Sequence, residues 1–70
     1  MPLEPVKIKP IERGAFLLNA FIDLGSAFAV FRALQIMETD RDLKIRFGTI
    51  VHALENVIPE AEELLRQVCP

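Results

Sequence analysis

Between Ile11 and Met37 apolar side chains occupy nearly every helical position. At 3.6 residues per turn, the polar residues of the first half, Glu12, Asn19, Asp23 and Ser26, fall in one narrow stripe. Two seams at alternating three- and four-residue spacing run along the remaining surface. One is Ile11, Ala15, Leu18, Ile22, Gly25, Ala29 and Ile36, rich in small residues that let another backbone approach closely. The other is Leu17, Phe21, Leu24, Phe28 and Phe31, bulky enough to fill a thicker interface. A helix with one neighbour needs one seam. Two seams predict contact with the rest of the chain on one side and with a second copy on the other, and both sets are candidate oligomer-interface residues.

The pattern predicts a first helix from about Pro10 to about Glu38, roughly 40 Å long. After Gly25 and Ser26 the polar positions become Arg32, Gln35 and Glu38, on the side opposite Asn19 and Asp23. Either the helix kinks at the Gly-Ser pair or its two halves meet different surroundings. Ahead of it, Pro2, Pro5 and Pro10 bracket the run Val6 to Lys9, which reads as an extended arm over residues 1–9 with Val6 and Ile8 available to a partner subunit. Glu38 to Asp42 is a polar junction, with Thr39 or Asp40 suited to cap a new helix. That second helix, about 41–57, has Leu43, Phe47, Ile50, Val51, Leu54 and Ile58 on one face, with Lys44, His52 and Glu55 pointing away. Pro59 stops or sharply kinks it, and a short third helix over about 60–68 carries Ala61, Leu64, Leu65 and Val68. The expectation is a single all-α domain: a long N-terminal helix packed with a second helix and a shorter C-terminal one, completed by homo-oligomerisation.

Length sharpens that expectation. A chain of 70 residues buries only about 60% of the surface its unfolded form exposes, so its own core is marginal. With one cysteine, Cys69, and one histidine, His52, neither a disulfide framework nor a structural metal is available as a remedy. A net charge of −2, from eight basic and ten acidic residues, gives no footprint for nucleic acid or an anionic membrane. The start, Met1 to Lys9, lacks a signal-peptide pattern, so a cytoplasmic setting is expected.

A membrane span has to be weighed, because residues 14–31 hold a single charge. Their nine Phe, Leu, Ile and Val side chains favour insertion by about 3–5 kcal/mol in total, and central Asp23 costs about 3. The balance is near zero. Placement of the polar residues on one stripe favours a water-facing strip on a soluble helix, with membrane association as the second reading.

Chemical sites are few. His52 and Glu55, three apart on a helix, have metal-ligand spacing but lack further ligands, and a solvated histidine is expected. Asp23 is expected to face water rather than act as a buried carboxylate, and Glu38, Asp40 and Asp42 to cap and solubilise rather than hold a cation. Cys69 reads as a free thiol, and the Phe seam as core rather than ligand pocket. Gly14, Gly25 and Gly48 stand singly, so no phosphate loop is present, and no nucleophile or acid-base constellation can be assembled. The chain is therefore expected to be a non-enzymatic assembly module or small structural subunit, without cofactor or metal, whose partner is itself or another protein. A membrane-associated subunit and a helix-turn-helix regulator are the alternatives. The would-be recognition helix of the last brings Glu60, Glu62 and Glu63 to phosphate, which argues against it.

Overall fold

The chain reverses direction where its polar side chains replace the backbone partners that helix ends lack. In the computed structural model, which describes residues 4–69, the Glu38 carboxylate accepts from the backbone N–H groups of Thr39 (3.0 Å) and Asp40 (2.9 Å). Asp40 then caps the next helix, its carboxylate accepting from the Leu43 N–H at 3.0 Å. Of the two capping residues expected from sequence, Asp40 takes the role.

On either side of this turn lie two helices, and the described residues contain no strand. A 3-10 turn at Pro10–Glu12 leads into α1, Arg13–Met37, and the turn leads into α2, Arg41–Val68. Residues 4–9 have no regular secondary structure, and Lys9 is extended (φ −75°, ψ 144°), as a residue before proline should be. The helices pack antiparallel. Phe31 meets Phe47 with ring centroids 6.3 Å apart, Arg32 pairs with Glu55 at 3.7 Å, and a Cβ added to Gly14 at the start of α1 would lie 2.9 Å from Cys69 Sγ at the end of α2.

One sequence expectation needs correction. The break at Pro59 does not occur: residues 41–57 and 60–68 are one helix of 28 residues, with Pro59 inside it. Proline removes the N–H that would bond the Glu55 carbonyl, at a typical cost of about 3 kcal/mol. Both Pro59 and Glu55 are exposed, so the ring meets no neighbouring helix and water can reach the freed carbonyl. Beyond it Ala61, Leu65 and Val68 are half-buried against the start of α1. Full burial of one Val or Leu is worth about 1.5–3 kcal/mol, so continuing the helix offsets the lost bond. With one continuous helix, the corner that a helix-turn-helix requires is absent. Gly25 and Ser26 sit inside an unbroken α1. Of the two sequence options the structure agrees with different surroundings, since Arg32 in the second half meets Glu55 of α2.

The aromatic seam is what α1 turns toward α2. Leu17, Phe21, Leu24, Phe28 and Phe31 are all half-buried, while Val51, 4% exposed, is the one fully buried residue among those described. At Gly48 the Gln35 side chain of α1 lies over α2, its amide nitrogen 2.8 Å from where an added Cβ would sit. Two helices make a single layer, with extents of 46 × 31 × 14 Å. The radius of gyration is 15.0 Å, against about 11 Å for a compact domain of this length.

At fixed protein concentration, Phe21→Ala and Phe28→Ala should each lower the unfolding free energy by about 3 kcal/mol, the low end for a buried phenylalanine. Pro59→Ala should raise it by about 2 kcal/mol, the restored helix bond being partly offset by greater unfolded-state freedom. Urea unfolding followed by circular dichroism measures both. A neutral Pro59→Ala would mean that the helix is not held straight through this position by its packing.

Candidate interaction surface

Several of the charged side chains pair with one another or cap the turn. His52 Nδ1 lies 4.0 Å from Glu55 Oε2, and the other oxygen of Glu55 faces Arg32 of α1. Glu55 thus bridges the two helices at their surface, and His52 sits at its open edge, 78% exposed in its side chain. Glu38 and Asp40 spend their carboxylates on the turn, and Asp42 pairs with Arg46 at 3.2 Å one helical turn away. Glu62 and Arg66 pair in the same i,i+4 sense near the end of α2, where a cation suits the helix dipole. Asp23 is exposed on α1, and Cys69 is a free, exposed thiol. Among the described residues no cluster of three metal-ligating side chains forms and no pocket opens.

Apolar surface dominates what remains. Every member of the small-residue seam, Ile11, Ala15, Leu18, Ile22, Gly25, Ala29 and Ile36, is exposed, with Ile11 at 93% and Ile36 at 68%. The two sets of candidate interface residues therefore separate. Leu17, Phe21, Leu24, Phe28 and Phe31 are turned toward α2 of the same chain, and the small-residue set lies open on the far side of α1. Gly25 marks the middle of the open set, and nothing lies within 4 Å of where its Cβ would be. Glycine inside a helix costs about 1 kcal/mol relative to alanine, and within one chain no close approach at Gly25 offsets it. No residue of α1 is buried, and the helix from Pro10 to Met37 is long and apolar enough to cross a membrane.

A second open stripe lies on α2 and follows from the helix being continuous. Leu43, Ile50, Val57 and Leu64 recur every seven residues and are 44, 39, 47 and 52% exposed. Four residues on from each, Phe47, Leu54, Ala61 and Val68 are half-buried toward α1. A sequence reading that ends the helix at Pro59 divides this repeat into two fragments and misses it; the signal was the seven-residue register kept across the proline.

Because the ion pairs are all solvent-exposed, none anchors the fold strongly. His52→Ala and Asp42→Ala should each change the unfolding free energy by less than about 1 kcal/mol, as read from urea midpoints. A larger loss at His52 would point to an engagement of its ring beyond Glu55. No family model matches the chain, nor does any curated protein or solved structure.

Proposed function

We propose that this protein is a non-enzymatic helical assembly module, an obligate homo-oligomer whose copies cover one another's α1 through the seam Ile11, Ala15, Leu18, Ile22, Gly25 and Ala29. The observation that carries this reading is surface area. The chain exposes 5978 Å², whereas a compact monomer of 7.9 kDa exposes about 4,400 Å². The excess is about 1,600 Å², about twice what each partner contributes to a standard interface. Part of it lies on the arm, where Val6 and Ile8 are also open, and much of the rest lies on α1.

Complementarity supports a second copy as the covering partner. A seam that combines large residues (Leu18, Ile22) with small ones (Ala15, Gly25, Ala29) supplies both knobs and hollows for a self-complementary two-fold contact. The cost of Gly25 in an open helix is then offset by the close contact it permits. The arm adds Val6 and Ile8 to the same association.

A second reading is favoured by the length and apolar character of Pro10–Met37: a membrane-associated hairpin with α1 in lipid and the charged face of α2 in water. Asp23 and Asn19 on the otherwise apolar helix weigh against it. The two readings part on solubility. The assembly reading expects the purified chain to remain in solution without detergent and to stay at the bottom of a gradient when mixed with neutral phosphatidylcholine vesicles; flotation with the vesicles supports the membrane reading.

Variants on the seam test the assembly itself. Ile22→Glu places a charge in the proposed contact, and Ala29→Leu overpacks it by about 1–3 kcal/mol. Both residues are exposed, so the hairpin should tolerate either change. Light scattering should show a lower mass for both variants than for the unaltered chain at equal concentration. An unchanged mass for both would remove the α1 seam from the interface.

A further inference from the structure

We propose that the flank of α2 carrying Leu43, Ile50, Val57 and Leu64 is a second self-association face, on which the same flank of another copy docks antiparallel. The proposal rests on the oligomeric reading above but on other residues. These four side chains span about 32 Å of helix and share one seam when a partner helix winds along it. With Phe47, Leu54, Ala61 and Val68 they complete a heptad pattern, one half engaged within the hairpin and the other left at its rim. The Arg32–Glu55 pair closes the opposite flank, since Glu55 lies about 140° around α2 from Ile50. No equivalent ion pair covers the stripe.

Symmetry and charge select the occupant. The stripe is balanced about the bond between Ala53 and Leu54, so an antiparallel copy sets Leu43 against the partner's Leu64 and Ile50 against the partner's Val57. Each layer then pairs aliphatic side chains of similar size. Flanking the stripe are Arg46 and Glu60, placed seven residues to either side of Ala53. Antiparallel pairing brings Arg46 within one residue's rise of the partner's Glu60, twice over by symmetry. Parallel pairing would set each against its own kind. Arg46 can take this role because its partner within the chain, Asp42, is an exposed pair, with side chains 74% and 75% accessible. The surface excess of about 1,600 Å² leaves room for this face beside that of α1. Two different two-fold faces on one hairpin close at four copies, a dimer of dimers, when their axes cross at right angles.

Cysteine pairing tests the register directly. In a Cys69→Ser background, which removes the only native thiol, Ile50→Cys with Val57→Cys should convert under mild oxidation to a disulfide-linked dimer. Either cysteine alone should couple at least tenfold more slowly, because each lies about 10 Å along the seam from its own symmetry mate. Single variants that couple as fast as the double would overturn the antiparallel register. A double variant that stays uncoupled, in a protein whose Cys69→Ser parent is oligomeric, would overturn the face alone. A monomeric parent would overturn the oligomeric reading and this face with it. If the paired cysteines disturb folding, exposed charges decide instead. Arg46→Glu should shift the four-copy to two-copy equilibrium toward two by about tenfold, and adding Glu60→Arg should restore it. Equal masses for wild type, Arg46→Glu and the double swap across a dilution series would overturn the proposal.

Discussion

The structure depends on a mismatch between α1 and the helix available to cover it. Over its 25 residues α1 carries three charges, Arg13, Asp23 and Arg32, and apolar side chains point outward in nearly every direction. One neighbouring helix can bury about a third of a helix's circumference. Here α2 takes the Phe21–Leu24–Phe28–Phe31 face and leaves the opposite face, from Ile11 to Ile36, in solvent. No rearrangement within a two-helix chain changes this. Turning the small-residue seam inward would expose the phenylalanines instead. Only surface from outside the chain relieves the mismatch, and the proposed function is a consequence of that.

The polar groups fit the same picture. Each charged side chain with a partner in the fold supports the hairpin: Glu38 and Asp40 at the turn, Glu55 between the helices, and Asp42 and Glu62 along α2. The work is divided unequally between the helices, with α2 holding most of the charge and α1 most of the unsatisfied apolar surface.

Much of this was legible in the residues. The helical class, the first helix apart from the 3-10 turn at Pro10–Glu12 that opens it, the polar turn at 38–40 and the separation of α1 into an aromatic and a small-residue seam all follow from periodicity and capping chemistry. Pro59 was misleading because its local rule is strong and the compensation is not local. Ala61, Leu65 and Val68 gain their burial from the start of α1, more than forty residues earlier in the chain. The same misreading concealed the α2 stripe, since Leu43 and Leu64 belong to one repeat only if the helix between them is unbroken. Which seam faces inward was also beyond the sequence, because both satisfy the same spacing. In the fold the phenylalanine seam is the one half-buried against α2.

The central claim, that the open face of α1 is covered by further copies of the chain, is tested most directly by sedimentation equilibrium of the unaltered protein without detergent, from nanomolar to tens of micromolar. The mass should exceed that of the 7.9 kDa monomer throughout the micromolar range, with helicity falling as dilution dissociates the assembly. A well-folded species of 7.9 kDa at micromolar concentration, with full helicity and a cooperative unfolding transition, would contradict it.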